Sequence, residues 1–227
     1  DKFGGRVTML CMGPPQAEDA LRKCISFGAT DAILVTDRAF AGADTLATSY
    51  ALTSAIRKIH AEQAVDLVFT GKQTIDGDTA QVGPGIAKRL GWNLLTYVSK
   101  INEVNLDGQT LTVERRAEGG VQRLQTTLPS LITMLEGTNE MRFATMDDML
   151  RAGRCQVRKW NKDDAGIEDI TKIGLKGSPT IVSKVFAPQA RSQRARPDSS
   201  GQTASCASTR NRAGSRSVAA SAATCSR

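Results

Sequence analysis

Residues 66–83, D-L-V-F-T-G-K-Q-T-I-D-G-D-T-A-Q-V-G, gather the side chains of this sequence best suited to chemistry. Leu67, Val68 and Phe69 form a short apolar run, the pattern of a strand buried on both faces of a parallel sheet. Gly71 ends the run, a polar loop carries Lys72, Asp76, Gly77 and Asp78, and Val82, Ile86, Ala87 and Leu90 then fall at helical spacing within residues 79–90. Such a junction brings free backbone amides and the positive end of a helix dipole to one point, where an anionic group, most often a phosphate, is stabilised. The same residues also describe an ordinary strand-to-helix turn with an aspartate cap, and a glycine loop without a complete fingerprint does not choose between the two. Lys72 could meet a phosphate as a point charge or simply be solvated. Asp76 and Asp78 could hold a magnesium ion, although carboxylates beside a glycine more often cap the next helix.

Conventional catalytic machinery is sparse. The single histidine, His60, sits at a polar helix end and reads as a surface residue, which argues against a histidine-dependent triad or a histidine-rich metal site. There is no G-x-x-x-x-G-K-[ST] loop and no G-x-G-x-x-G after a strand. An adenylating enzyme would need a motif such as S-G-G-x-D-S, which is also absent.

The elements that must carry the loop alternate. Residues 6–12 read as a strand ended by Gly13, Pro14 and Pro15, and residues 17–27 as a helix with Ala20, Leu21, Cys24 and Ile25 on one face. Residues 31–36 form a second buried strand, and Asp44 is a plausible cap for a long helix through Leu46, Tyr50, Ile56 and Ile59. This order predicts a parallel α/β sheet with helices on both faces. Beyond Gly91 the rhythm changes: residues 94–101 are strand-like, residues 111–116 and 121–127 read as hairpin arms joined across Ala117 to Gly120, and residues 130–134 make another strand. After a short helical piece around Met149 and Leu150, the stretch through Lys172, Gly174, Gly177 and Pro179 lacks a core-forming period. It reads either as a flexible terminus or as a limb that embraces another subunit.

The 227 residues suit one domain with an appendage, or two small domains. No apolar run is long enough to cross a membrane, and the composition suits a soluble, cytoplasmic protein. Five cysteines without a C-x-x-C pair read as reduced thiols. The net charge of +7 would suggest nucleic acid, but residues 189–227 hold seven arginines, no lysine and one acid, Asp198, so nearly all of the excess is terminal. That tail also holds nine serines and nine alanines, a composition expected to stay disordered.

Several segments resemble the beta subunit of electron transfer flavoprotein: V-T-M-L-C-M-G-P-P-Q from Val7, F-G-A-T-D-A-I-L-V-T-D from Phe27, A-G-A-D-T-L-A-T-S-Y from Ala41, and, most specifically, G-K-Q-T-I-D-G-D-T-A-Q-V-G-P from Gly71. V-E-R-R-A-E-G-G from Val113, L-P-S-L-I-T from Leu128, N-E-M-R-F-A-T from Asn139 and G-L-K-G-S-P-T from Gly174 continue the resemblance, which covers residues 3–188. It implies a Rossmann-like sheet of the adenine-nucleotide-binding type, with an added antiparallel hairpin and a C-terminal arm around an FAD-bearing alpha subunit. On that basis residues 1–146 are the nucleotide-binding domain, 147–188 the arm and 189–227 the tail. The nucleotide is AMP in the simple carriers and a second FAD in electron-bifurcating relatives, including those linked to nitrogen fixation; the D-G-D-T-A-Q-V-G-P wording is closer to the second group.

Carried over by position, Met12 matches a nucleotide-contacting residue, and Gly71, Lys72, Gln73, Thr74, Ile75, Asp76, Gly77, Asp78, Thr79, Ala80, Gln81 and Val82 match the loop that holds adenosine and phosphate. Thr79 and Gln81 would donate hydrogen bonds at the helix start. Met146 falls at the anchoring position of the family's docking loop for partner dehydrogenases, with Met149 and Leu150 beside it; packed helix residues would look the same. Arg116 stands where simple carriers have a glutamate near the partner's flavin. The family's opening strand is not matched, which predicts unpaired edges at the centre of the sheet. An adenine-nucleotide-binding stress-type module without a redox role is the competing reading.

Overall fold

The computed structural model describes residues 4–75 and 77–183 in full and the backbone of Ala220–Ser226. Short apolar runs that alternate their burial between two faces become strands: in β1 (Arg6–Met12) Leu10 and Met12 enter one core while Cys11 enters another. β2 (Asp31–Val35) repeats this, with Ile33 and Val35 on one side and Ala32 and Leu34 on the other. Residues buried on both faces mark a central parallel sheet, and β1 pairs in parallel with β2, which pairs in parallel with β8 (Arg158–Trp160). On the other side β3 (Leu67–Gly71) pairs in parallel with β7 (Ser130–Met134), which pairs in parallel with β4 (Asn93–Asn105). β5 (Thr110–Ala117) and β6 (Gly120–Thr127) extend this side as an antiparallel hairpin, turning through Glu118 and Gly119 between the paired residues Ala117 and Gly120. The expected α/β class with an added hairpin is what the chain adopts.

Between β1 and β3 lies β9 (Ala220–Ser226), antiparallel to both: Leu10 and Thr70 each pair with Ala222. The sheet order is therefore β6-β5-β4-β7-β3-β9-β1-β2-β8. Unpaired central edges, expected from the sequence, do not occur there. Composition also suggested a tail without order; Ala220–Ser226 form a strand, and residues 184–219 lie outside the described residues. The described residues up to Ile181 and Ala220–Ser226 belong to one compact unit, while Val182 and Ser183 begin a second.

Helices α1 (Glu18–Ser26), α2 (Thr45–Glu62), α3 (Val82–Leu90) and α4 (Met146–Arg154) cover the sheet. The small residues Ala51 and Ala55 let α2 lie close over the strands, where Leu52 and Ile56 pack with Leu10, Val68, Ile86 and Leu131. A second core under α1 joins Leu21 and Ile25 to Leu34 and to Ala152 of α4, and a third, of Val98, Leu111, Val113 and Ile132, underlies the hairpin. Each fully buried Leu or Ile contributes roughly 1.5–3 kcal/mol relative to exposure.

Part of what the sequence suggests is an appended arm lies in the main core, because Trp160, Ala165 and Ile173 are buried there. The segment is strapped to the start of α2. Asp44 caps that helix, one oxygen accepting from the Leu46 and Ala47 amides at 2.9 and 3.0 Å. Its other oxygen accepts from the Thr180 amide and hydroxyl at 3.3 and 2.9 Å, and its own amide donates to the Ser178 hydroxyl at 2.8 Å. Gly174 closes the strap with a φ of +55°, and a Cβ there would lie 2.1 Å from the Ala39 carbonyl oxygen.

Burial pushes the Asp44 carboxyl up, but the hydrogen bonds from Ala47, Thr180 and Leu46 outweigh it and hold it below the ordinary aspartate value. A carboxylate with a lowered native value stabilises the fold above its unfolded value, and the contribution is lost as pH falls through the lowered one. Asp44→Ala is expected to cost about 1 kcal/mol in urea unfolding near neutral pH. The difference from the parent should shrink toward zero in acid; an equal difference at acid and neutral pH would contradict the carboxylate's role.

Candidate functional site

Parallel pairing within each half, with β9 antiparallel to both β1 and β3, brings the carboxyl ends of β1, β2, β3 and β7, at Met12, Val35, Gly71 and Met134, to one edge of the sheet. Ligands of open α/β sheets bind at this edge. The loop after β3 starts there, with the Lys72 amide donating to the Met134 carbonyl at 3.0 Å. Gln73 then pairs with Asp78 across the loop, whose amide donates to the Thr74 carbonyl at 3.0 Å. Asp78 and Ala80 both hold positive φ, at 48° and 54°. Those left-handed residues delay the helix, so α3 starts at Val82 and not at Thr79 as its spacing predicts. Asp76 lies outside the described residues.

Asp78, bound to Gln73, does not cap α3. Its N-terminal residue, Gln81, makes no side-chain cap, and the first turn holds no acid. Of the four α-helices among the described residues, α3 alone begins this way: α2 has Asp44, α4 a capping box of Thr145 and Asp148, and α1 carries Glu18 and Asp19 in its first turn. The Val82 and Gly83 amides, the first-turn donors ahead of Pro84, are therefore left for an external acceptor. Ala80 with positive φ followed by Gln81 in the right-handed region turns successive amides into a concave anion-binding surface.

A second observation points the same way. The Thr70 hydroxyl, one residue before the end of β3, is buried and has no hydrogen-bond partner among the described residues. It sits against the first turn of α3, since a Cβ on Gly83 would lie 2.8 Å from it and 2.9 Å from the Thr133 methyl. A buried orphan hydroxyl is costly unless a ligand or water completes it. Thr45, at the start of α2, donates to the Gln81 side-chain carbonyl at 2.8 Å, which leaves the Gln81 amide nitrogen free to donate outward. Backbone donors, an orphan hydroxyl, a free amide and the positive end of α3 can together hold a phosphate-bearing ligand.

The structure thus brings together Gly71, Lys72, Gln73, Thr74, Gly77, Asp78, Thr79, Ala80, Gln81 and Val82, with Ile75 fully exposed at the loop's tip. Met12 stands apart: it is on the same edge, but β9 lies between it and β3, and its side chain is buried in the main core. Thr70 and Thr45 do not stand out in the sequence motif itself. A threonine beside the helix cap Asp44 was a visible signal for Thr45, whereas a threonine in an apolar strand gave none for Thr70. A cleft of about 270 Å³ lined by Tyr50, Ser54, Arg57, Lys58, Gly166 and Glu168 includes no residue of the loop. His60 is exposed, as expected, and its Nδ1 accepts from the Val65 amide at 3.0 Å.

A separate apolar surface surrounds α4. Met146, Met149 and Leu150 are each about half exposed or more, and Phe143 and Met141 beside them are more exposed than most apolar side chains. The helix is fixed from behind by Arg22, which donates to the carbonyls of Ala152 and Cys155 at 3.0 and 2.9 Å, and by Arg151, which donates to that of Ile25 at 2.7 Å. The Thr145 hydroxyl and amide, followed by the Arg142 and Arg151 guanidiniums, hold the Asp148 carboxyl below its ordinary value. Arg116 is exposed on β5.

Among the described residues no helix is long and apolar enough to cross a membrane. A family profile described as "Electron transfer flavoprotein domain" matches residues 1–165. "Protein FixA" of Azotobacter vinelandii is 69% identical over 195 residues, covering 86% of this chain and 69% of the relative. "Protein FixA" of Azorhizobium caulinodans is 65% identical over 196 residues, covering 86% and 70%. "Electron transfer flavoprotein subunit beta" of Clostridium acetobutylicum is 42% identical over 193 residues, covering 85% and 71%.

Proposed function

Because the chain belongs to the electron transfer flavoprotein family, on its beta-subunit side, we propose that it serves as the subunit that holds an adenine nucleotide, FAD or AMP, on the loop from Gly71 to Val82, beside an FAD-bearing alpha subunit. Its role is that of an electron-transfer subunit, and family membership does not favour a stress-type module without redox function. The observation that carries the nucleotide reading is the uncapped, acid-free start of α3 set against the orphan Thr70 hydroxyl. The Val82 and Gly83 amides, Gln81 and Thr79 would bind phosphate, and Lys72 would add charge at the loop's entrance. A bound flavin supplies the ring that takes up and releases electrons; the residues of this chain bind it, orient it and exclude water. The wording of residues 76–84 favours FAD and a bifurcating complex. The exposed surface of Met146, Met149 and Leu150 suits docking of a partner dehydrogenase, and the segment through Gly174 the embrace of the alpha subunit, in the cytoplasm.

Co-expression with an alpha-type subunit, followed by acid release and quantification of FAD and AMP per heterodimer, tests this. Two FAD without AMP is the expected result and supports bifurcation, while one of each supports a simple carrier. A heterodimer that releases FAD from the alpha subunit alone and no second nucleotide would overturn the nucleotide site.

A further inference from the structure

Tyr97 is a bulky, non-glycine residue with a φ of +58°, a conformation such residues rarely hold without a reason. It lies where β4 bulges against β7, in the register shift between Leu95 and Val98. Bulges beside functional sites re-aim side chains. Here the bulge is pinned from within: the Tyr97 amide donates to the Thr133 hydroxyl at 3.1 Å, and Thr133 itself is buried, its methyl against the first turn of α3 at Gly83. The backbone is thus held in the left-handed form by a residue that touches the proposed nucleotide site. The ring is not used to fill a core, because Tyr97 is 40% exposed. The Lys72 ammonium, on the first residue of the loop, stands 5.4 Å from its centroid.

Core packing does not explain a strained, half-exposed tyrosine aimed at the ligand loop. A flat ring with a cation beside it suits a flat, electron-poor ring system that carries negative charge when reduced. We infer that Tyr97, with Lys72, is the surface on which a flavin ring packs, beyond the phosphates held at α3. This rests on the nucleotide reading above and adds to it a named ring contact. The flavin could be this chain's own or the one on the partner subunit, and both present the same ring chemistry.

The test uses the heterodimer and, separately, the full chain loaded with FAD alone. Tyr97→Ala is expected to weaken flavin retention about three- to tenfold, the usual worth of an aromatic contact, and to raise the emission of the flavin that remains. Tyr97→Trp should restore retention and keep the flavin dark. Tyr97→Gly, which removes the ring and relieves the positive φ, should behave as Tyr97→Ala does, so a folding defect in the alanine variant leaves the test intact. An effect in the chain alone supports the chain's own flavin, and an effect only in the heterodimer supports the partner's. Retention and emission unchanged in both preparations would overturn the inference while leaving AMP or FAD binding at the loop in place. Equal weakening of AMP would also overturn it, since the ring would then face adenine. A parent protein that retains no flavin in either preparation refutes this inference, and one that retains no AMP either refutes the nucleotide reading with it.

Discussion

A chain ending at residue 216, without β9, is expected to lose its cooperative fold. β9 pairs with seven residues of β1, from Arg6 to Met12, and with four of β3, from Leu67 to Thr70. It is the only ladder in the described sheet between β3 and β1. At roughly 0.5–1.5 kcal/mol net per hydrogen bond, the two ladders amount to on the order of 5–15 kcal/mol, comparable to the whole stability of a domain. Loss of β9 would also bare two long central edges, which aggregate readily. Circular dichroism and tryptophan emission in urea should show a broad, early transition in place of a sharp one. Ala222→Pro is the finer probe, because proline in a strand paired on both sides removes a ladder donor and cannot adopt the strand's φ. A truncated chain with the parent's midpoint and slope would show that β9 does not hold the halves of the sheet together.

Gly83→Val should abolish nucleotide retention. Even a Cβ at this position meets the Thr70 hydroxyl at 2.8 Å and the Thr133 methyl at 2.9 Å, both on buried strand residues that have nowhere to go. Helix α3 must lift off β3 and β7, carrying its free amides away from the ligand and covering the Thr70 hydroxyl with hydrocarbon. Overpacking of this kind costs about 1–3 kcal/mol of stability. The loss of binding should be far larger than the loss of stability, because a phosphate depends on donors converging at one point. Nucleotide per chain after desalting, measured beside the unfolding midpoint, separates the two. If Gly83→Val keeps its nucleotide at parental stoichiometry, the first turn of α3 does not hold the phosphate.

Much of this was legible in the sequence because it follows from local pattern. Leu67, Val68 and Phe69 next to Gly71 announced a buried strand and its end, and Asp44 announced a helix that it does cap. The resemblance located the loop, whereas spacing alone left a phosphate site and an aspartate cap equally open. What bears on the choice is geometry: Asp78 turns to Gln73, and Gln81 at the start of α3 makes no side-chain cap. Thr70 was invisible as a site residue because a threonine in a strand is ordinary; only its burial without a partner marks it. Tyr97 was hidden for a similar reason, since a register shift cannot be read from alternation in one strand. β9 escaped entirely. Its alanines and serines carry no apolar period, and the strand is held by neighbours far away in sequence.

That distance matters for how the chain comes to be folded at all. Arg6 pairs with Ser226, so the middle of the sheet joins segments far apart in the sequence. A ribosome delivers residues in order, and the facing edges of β1 and β3 must wait, exposed, until Ala220–Ser226 emerge. High contact order slows the closing step further. Synthesis should therefore pass through a loose, chaperone-dependent intermediate, and ribosome-bound chains stalled before Ala220 emerges should remain open to protease.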